Sequence, residues 1–243
     1  MKGEVKIVYE DDGLVVIDKP AGMVTNESRT ALDNTVQGWF RKKFSIFDVK
    51  YFGEDGEFYQ KGGVVHRLDK ETSGLLVLAK NPQAYISLKN QFLERKVQKK
   101  YIAMVHGVIN PEKGMVSLPI ERHSKVWGKF AVGKDLARTA ITEWETKEKF
   151  DRGFSLLEIR PMTGRTHQIR VHMKYLQHPV VSDPLYLGRK MYLSDEKWCP
   201  RLFLHATELR LLHPISQETC VFASPLPEDL VIAREKLIHW ESE

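Results

Sequence analysis

The sequence predicts an α+β fold in which helices flank a mixed, largely antiparallel sheet. Short aliphatic and β-branched runs, which are typical of strands, recur along the 243-residue chain. Amphipathic helical patterns lie between them in mixed order, which argues against a doubly wound parallel sheet. Hydrophobic residues make up 42% of the chain, enough to bury a substantial core, and no linker-like change in composition divides it. We therefore expect residues 1–243 to form a single domain.

The N-terminal residues are predicted to form a β-hairpin. Residues 5–9 and 14–18 are strand-like, and the turn sequence Asp11-Asp12-Gly13 separates them. Pro20 ends the second strand because proline has no backbone N–H to donate to a β-ladder.

A helix and then a long loop are predicted to follow this hairpin. Asp33 or Asn34 can cap the helix, whose apolar positions have helical spacing at Val36, Trp39, Phe40 and Phe44. Residues 46–63 are polar and contain several glycines, so we expect a loop there.

The middle of the chain is predicted to contain two strands with a helix between them. Residues 75–79 form an apolar run that is typical of a buried strand, and residues 101–106 form the next strand. Asn81 followed by Pro82 indicates a helix start, because asparagine can cap and proline needs no amide partner in the first turn. The apolar face of this helix consists of Tyr85, Leu88 and Phe92.

Four strands and two helices are predicted in the C-terminal half. The strands are placed at 138–147, 153–160, 202–205 and 220–223, after a basic, glycine-containing loop at about 121–136. One helix begins near Thr166 and the terminal helix begins at Pro227. The apolar residues of the first of these helices are Ile169, Met173 and Leu176.

Composition and charge limit the class of protein. No apolar run approaches the roughly 18 residues that span a bilayer, and the N-terminus lacks the apolar core of a secretion signal. Cys199 and Cys220 do not form a C-x-x-C pair and are expected to be reduced thiols, so a cytoplasmic location is predicted. A net charge of +5 is compatible with a nucleic-acid partner.

A candidate catalytic carboxylate, that of Asp69, lies in a short polar turn between two apolar runs. Arg67 and Lys70 flank it, and nearby cations favour the ionised form of a carboxylate. An ionised carboxylate suits a nucleophile or a base rather than a proton donor. The alternative is a turn aspartate that caps the backbone amides near Thr72 and Ser73.

A second polar stretch, residues 162–172, leads into the predicted helix at Thr166. Its basic and imidazole side chains are those of Arg165, His167, Arg170 and His172. Amides and guanidinium groups at a helix start can bind phosphate, although the alternative is a solvated basic helix face. Zinc is not expected, because the two histidines would point about 140° apart on a helix and no further ligand pattern accompanies them.

The third stretch combines cations with an aromatic ring. Lys99 and Lys100 immediately precede Tyr101 at the start of a predicted strand. An aromatic ring beside cations is the usual composition of a base-stacking site. More often, such a tyrosine belongs to the core and the lysine stems extend along it towards solvent.

Taken together and in this order, these stretches resemble one family. The string HRLDKETSGLLVLAK, residues 66–80, is similar to the central motif of RluA-type pseudouridine synthases. Five further segments resemble the same family in the same order, at residues 10–22, 100–103, 163–172, 204–206 and 223–227. The resemblance extends over about residues 6–230. Many relatives carry a small RNA-binding module ahead of the catalytic domain, and we expect none here because the pattern begins almost at Met1.

The resemblance implies an isomerase that converts a chosen uridine of structured rRNA or tRNA to pseudouridine, and we expect the protein to be a monomer. It implies a single domain around a bent sheet, no metal or organic cofactor and no membrane association. Asp69 matches the catalytic aspartate and Arg170 the arginine that pairs with it. Tyr101 matches the tyrosine that stacks on the uracil and takes part in proton removal.

The resemblance also indicates which residues contact RNA. Arg67 matches an RNA-contacting position beside the aspartate. The further candidates for contact with RNA or substrate are Lys99, Lys100, Arg165 and His167, together with the basic stretch 95–100 and the 121–136 loop.

Two other functions fit parts of the same sequence. A catalytically silent RNA-binding or ribosome-assembly factor could share the fold, but such a relative could lose any of Asp69, Tyr101 and Arg170, and all three are present. A glycosidase would need a second carboxylate about 5–10 Å away, and Glu71 is the only neighbour in the motif. We therefore favour the pseudouridine synthase.

Overall fold

A computed structural model describes residues 4–27, 34–44 and 56–239. In these segments the chain forms ten strands: β1 (Lys6–Glu10), β2 (Leu14–Lys19), β3 (Ser73–Ala79), β4 (Gln98–His106), β5 (Lys113–Arg122), β6 (Phe130–Val132), β7 (Thr139–Phe150), β8 (Phe154–Pro161), β9 (Leu204–Leu212) and β10 (Thr219–Ala223). It also forms six α-helices: α1 (Val36–Phe44), α2 (Gly56–Lys61), α3 (Pro82–Leu93), α4 (Gln168–Tyr175), α5 (Arg189–Asp195) and α6 (Glu228–His239). Helices accompany strands whose pairs β1–β2, β2–β3, β4–β8 and β7–β8 are antiparallel, and the predicted α+β class is confirmed.

The chain divides into two compact units. The first consists of Met1–Gln98 and Glu208–Ser224, and the second of Lys99–Thr207 and Pro225–Glu243. Each unit therefore combines two separate stretches of sequence, which explains why no single linker is visible in the composition. The prediction of one domain over residues 1–243 stays a prediction.

The first unit contains the predicted N-terminal hairpin. β1 pairs with β2 and β2 with β3, while β10 pairs with β9. Asp11 closes the hairpin turn, since its Oδ1 accepts hydrogen bonds from the backbone N–H groups of Gly13 (2.8 Å) and Leu14 (2.9 Å). Strand β3 is buried at every position, as its apolar sequence predicts, and α3 packs in the same core.

The start of α3 is confirmed, whereas the start of α1 differs from the prediction. The Asn81 side chain accepts a hydrogen bond from the Ala84 N–H at 2.8 Å, and Pro82 follows as the first helical residue. In α1 the cap is the hydroxyl of Thr35, which accepts from the Gly38 N–H at 3.0 Å, so Asn34 is not the cap. Asp33 lies outside the described residues.

Helix α2 lies within the segment predicted to be a loop, so that part of the prediction is wrong. Its Phe58 is buried in the core of the first unit, which provides the packing energy that a short polar helix lacks by itself. The helix is followed by Gly62 and Gly63 with φ of +56° and +68°, a left-handed backbone that glycine adopts without strain.

The second unit contains a five-stranded antiparallel arrangement in the order β4-β8-β7-β5-β6. Strands β7 and β8 were predicted, but β5 was not, because charged residues, Gly114 and Pro119 interrupt its apolar pattern. Gly114 is required there, since a Cβ would overlap the ring of Trp144 on β7. Strand β6 also forms inside the predicted 121–136 loop.

Several element boundaries differ from the prediction in the second half of the chain. Helix α4 begins at Gln168 instead of Thr166, because His167 has a left-handed φ of 55° and ends the preceding loop. Helix α5 was not predicted, and β9 extends to Leu212, well beyond the predicted 202–205. Among the described segments, no helix is both long enough and apolar enough to span a bilayer.

Candidate active site

Asp69 lies in the turn that leads into β3 in the first unit. Its side chain is half-buried, and the flanking Arg67 and Lys70 are exposed. The Thr72 N–H donates to the Asp69 carbonyl oxygen at 3.2 Å and closes the turn. Asp69 is therefore presented by a defined turn at the edge of a buried strand.

The residue after Asp69 is held by a buried cation. Lys19 is completely buried, and its Nζ donates to the carbonyl oxygens of Pro20 (2.9 Å), Met23 (2.9 Å) and Lys70 (3.3 Å). The Gly22 N–H donates to the same Lys70 oxygen at 2.8 Å. An ammonium group is tolerated in a protein interior only when it is well hydrogen-bonded, and here those bonds connect the end of β2 to the Asp69 turn.

The residue before Asp69 is held by a threonine hydroxyl. Thr25 Oγ1 donates to the Leu68 carbonyl oxygen at 2.8 Å and accepts from the Leu68 N–H at 3.2 Å. Both Thr25 and Leu68 are buried, which favours a single geometry. The backbone of Asp69 is thus anchored on both sides by residues 19–25.

The neighbouring residues of the motif have different environments. His66 Nε2 accepts from the Val77 N–H at 3.1 Å, and its ring stacks on Phe92 with centroids 4.4 Å apart. His66 is therefore a structural residue in this structure. Arg67 is exposed two positions before Asp69, where it is accessible to a ligand in solution.

The three residues of the Lys99–Tyr101 stretch lie on β4 in the second unit. Lys99 and Tyr101 share one face of the strand, because side chains two positions apart point the same way. Tyr101 is 9% exposed, and Lys100 is half-buried on the opposite face. Lys99 Nζ donates to the Thr163 carbonyl oxygen at 3.4 Å, and burial lowers the pKa of Lys99 to about 8.

Arg170 on α4 forms a buried, two-point ion pair with Asp183. Arg170 Nε lies 2.8 Å from Asp183 Oδ2, and Nη2 lies 2.7 Å from Oδ1. The two side chains are 2% and 0% exposed. Asp183 Oδ1 also accepts hydrogen bonds from the backbone N–H groups of Leu185 (2.9 Å) and Tyr186 (3.1 Å). Both oxygens of this carboxylate are therefore hydrogen-bonded.

This ion pair was not predicted from the sequence. A signal existed, because Asp183 is the only acid between Arg165 and Lys190. The pairing of Arg170 with Asp69 that the family resemblance implies stays a prediction. A guanidinium has five N–H donors, so an ion pair with Asp183 is compatible with a second carboxylate partner.

A second residue that sequence reasoning missed, Gln168, organises the loop before α4. Its Oε1 accepts from Thr163 Oγ1 (2.6 Å) and from the Arg165 N–H (3.0 Å). Its Nε2 donates to the Ile141 carbonyl oxygen and to Thr142 Oγ1, both at 2.9 Å. The buried amide thereby fixes residues 163–165 against β7.

His172, weighed above as a metal ligand, is a buried core residue. Its Nδ1 lies 2.8 Å from Thr142 Oγ1, and its Nε2 lies 3.4 Å from the Leu118 carbonyl oxygen. Burial lowers the pKa of His172, which favours the neutral imidazole.

Arg165 and His167 belong to a surface that we call the basic-aromatic surface. It is composed of Lys129, Arg165 and His167, together with the buried ring of Tyr186 that Lys129 and His167 contact. His167 Nδ1 lies 2.9 Å from Tyr186 Oη, and Lys129 Nζ lies 5.4 Å from the centre of the Tyr186 ring. Arg165 is exposed, and its Nη2 donates to the Ala137 carbonyl oxygen at 3.1 Å. Cations beside aromatic rings suit the binding of phosphates and bases.

The predicted residues therefore fall into two groups. Asp69 and Arg67 belong to the first unit, whereas Lys99, Lys100, Tyr101, Arg165, His167 and Arg170 belong to the second. Within the second unit, the hydrogen bonds at Thr163 and Arg165 connect the start of β4 and the start of α4 to the same loop. The first unit thus contains an anchored carboxylate, and the second contains a tyrosine, an ion-paired arginine and a cationic surface.

Comparison with known proteins gives consistent results. A family model described as RNA pseudouridylate synthase matches residues 13–175. The chain is 38% identical over 232 residues to ribosomal large subunit pseudouridine synthase D of Xanthomonas campestris, and 37% identical over 236 residues to the protein of that name from Pseudomonas aeruginosa. These alignments cover 92% and 94% of this chain but 66% and 70% of the relatives, so the chain spans about two thirds of their length.

A solved structure has a similar fold. Human RNA pseudouridylate synthase domain containing 1 is 28% identical to this chain, with a TM-score of 0.70. The match covers 93% of this chain and 84% of the human chain.

Asp183→Asn is expected to destabilise the protein by about 3–5 kcal/mol, because it replaces the buried carboxylate that pairs with the Arg170 guanidinium by a neutral amide. Urea unfolding measures the change. The matched control is Asp229→Asn, since Asp229 pairs with Arg201 but is 42% exposed, and its loss should cost less than about 1 kcal/mol. Equal costs for the two variants would contradict the assigned importance of the buried pair.

Lys99→Met is expected to stabilise the protein at pH 7 by roughly 1–3 kcal/mol, with a gain that shrinks towards pH 10. The folded protein disfavours the charged ammonium, so its stability rises with pH between the folded pKa of about 8 and the higher unfolded pKa. The full cost of the charge is therefore present below pH 8. Urea unfolding of both proteins across this pH range measures the effect, and a pH-independent difference would contradict it.

Proposed function

The chain belongs to the RNA pseudouridylate synthase family, and on that premise we propose that it isomerises uridine in large-subunit ribosomal RNA to pseudouridine, with Asp69 as the catalytic carboxylate. The observation that carries the proposal is the match of the family model to residues 13–175, which include Asp69 in its anchored turn. We choose large-subunit ribosomal RNA as the substrate because the two bacterial relatives are named ribosomal large subunit pseudouridine synthases.

The reaction breaks the bond between the ribose and nitrogen 1 of the uracil, turns the base and rejoins it through carbon 5. The hydrogen on carbon 5 then leaves as a proton, and nitrogen 1 gains one, so atoms balance without an oxidant or a reductant. The reaction requires an ionised carboxylate near the sugar or ring, a slot for the detached uracil and a base for the carbon 5 proton.

Asp69 supplies the carboxylate in this proposal. The hydrogen bonds of Lys19 and Thr25 to its neighbours support the assignment, because they hold the backbone in place before substrate binds. Preorganisation of this kind lowers the barrier, since no rotation or ordering of the chain is left to the reaction step. Arg170 is assigned the role of the cationic partner that keeps the Asp69 carboxylate ionised.

Tyr101 supplies the wall of the uracil slot and the base. It is nearly buried on β4, so its ring can stack on a planar ligand without a large loss of side-chain entropy. Lys99 lies on the same face two positions away, which places a cation close to the phenol in sequence and in direction.

A uridine within folded RNA must leave its stack before a carboxylate can reach it. Base flipping costs a few kcal/mol, which phosphate contacts and stacking in the pocket offset. We assign the phosphate contacts to Arg67, Lys100 and the basic-aromatic surface, all of which have exposed or half-buried cations.

We expect the protein to act in the cytoplasm as a monomer. Both cysteines are free thiols, which is consistent with a reducing compartment.

Asp69→Asn is expected to reduce pseudouridine formation by at least about 10³-fold, because an amide cannot act as the anionic group. Release of tritium from ribosomal RNA that carries tritium at carbon 5 of uridine measures the reaction. The control is Glu71→Gln, which should remain active, while both variants should unfold at the wild-type urea concentration. An active Asp69→Asn would refute the assignment, and an inactive wild type would favour a silent RNA-binding factor.

Tyr101→Phe is expected to slow turnover by about 10²-fold or more while RNA binding changes less than about twofold, because the ring remains and only the hydroxyl is lost. Single-turnover tritium release and a filter-binding titration with the same RNA separate the two effects. An unchanged rate would show that the hydroxyl takes no part in proton removal.

A further inference from the structure

The hairpin between β5 and β6 presents an indole to solvent. Trp127 is 92% exposed, although tryptophan is among the largest apolar side chains and is usually covered. The adjoining Val126 is 45% exposed. Neither residue has a role in the chemistry proposed above.

The turn that carries Trp127 is hydrogen-bonded. The His123 N–H donates to the Lys129 carbonyl oxygen at 2.9 Å, and the Lys129 N–H donates to the Val126 carbonyl oxygen at 3.3 Å. His123 Nδ1 accepts from the N–H groups of Lys125 (3.1 Å) and Val126 (3.2 Å). Gly128 has a φ of +77°, which lets the chain reverse directly after Trp127. The indole is therefore held out by a closed turn.

The sequence around this turn is rich in lysine and arginine. Residues 122–138 contain five lysines and arginines but a single acid, Asp135. Arg138 pairs with Asp135 at 3.4 Å, whereas Lys125 and Lys134 have no carboxylate within ion-pair distance among the residues that the structure describes. Exposed cations without acidic partners beside an exposed ring match a phosphate backbone with its bases.

The hairpin is attached to the basic-aromatic surface. The Phe130 N–H donates to Tyr186 Oη at 3.0 Å, and the Phe130 ring lies 5.4 Å from that of His167. Arg165 donates to the carbonyl oxygen of Ala137, which lies in the short segment between β6 and β7. A strand of RNA on the basic-aromatic surface can therefore extend along the hairpin to Trp127 within the second unit.

We propose that Trp127 is a stacking platform for an unpaired base of the RNA substrate, separate from the isomerised uridine, with Lys125 and Lys134 contacting the adjoining phosphates. The inference rests on the proposed function for the identity of the RNA. An exposed indole with nearby cations favours a nucleotide over an apolar protein surface, because a protein partner would need a larger contiguous apolar patch than Trp127 and Val126 provide.

Binding of a fluorescein-labelled single-stranded oligouridylate dodecamer tests the platform without turnover. Trp127→Ala should bind it about 5- to 150-fold more weakly, and Trp127→Phe should remain within about threefold of the wild type, because an aromatic face is retained. The slope of log affinity against log salt should be unchanged in Trp127→Ala but reduced by about 0.7 in Lys125→Gln, which removes one phosphate contact. The matched control is Ile86→Ala, which truncates another exposed apolar side chain, 53% exposed on α3, and should bind normally.

Wild-type affinity of Trp127→Ala for the dodecamer would overturn the proposal. An equal loss of affinity of Trp127→Ala for a duplex of the same length would also overturn it. So would a Trp127→Ala variant that binds RNA normally but has lost a wild-type affinity for phosphatidylglycerol vesicles. With ribosomal RNA, Trp127→Ala should raise KM more than it lowers kcat, because the platform contacts RNA away from the reacting base. A wild type that forms no pseudouridine but shows the Trp127-dependent binding would refute the proposed function and leave the stacking platform supported.

Discussion

The position of Asp69 depends on hydrogen bonds that its neighbours make with residues 19–25. The Lys19 ammonium and the Thr25 hydroxyl donate to the carbonyl oxygens of the residues on either side of the aspartate. These hydrogen bonds restrain the backbone at Asp69. They also mean that the strand-ending segment after β2 is part of the candidate site, although it contributes no reacting atom.

Burial of charge is the common theme of the second unit. Arg170 and Asp183 are removed from water together, and burial lowers the pKa of both His172 and Lys99. The two hydrogen bonds between Arg170 and Asp183 offset the desolvation cost of the ion pair. Lys99, in contrast, donates one long hydrogen bond, to Thr163, among the described residues. A buried ammonium with so little compensation lowers stability, and side chains with strongly shifted pKa values are common in functional sites.

Local sequence signals predicted the parts of the fold that local interactions decide. The Asn81-Pro82 helix start, the Asp11 turn and the apolar β3 were all identified, because each is determined by residues within a few positions. Helix α2 and strand β5 were missed, since their stability comes from packing partners distant in sequence, such as the core around Phe58 and the Trp144 ring over Gly114.

The candidate site divides in the same way. The turn at Asp69 and the basic entry to α4 were visible as patterns. Lys19, Gln168 and Asp183 were not assigned roles, because each has a partner that lies 13 to 51 residues away. A buried lysine looks like any other lysine until its acceptors are known. The pairing of Asp69 with Tyr101 and Arg170 rests on family resemblance and stays a prediction.

The division of each unit between two stretches of chain has a consequence for biosynthesis. Leu209, Leu211 and Phe222 belong to the same core as Leu14 and Leu75, so the core of the first unit is incomplete until residues 209–222 have been synthesised. A nascent chain arrested before residue 208 exposes the apolar side chains of that core. Folding of the first unit is thereby tied to the synthesis of a segment more than 100 residues downstream of β3, and shorter nascent chains are expected to expose aggregation-prone apolar surface.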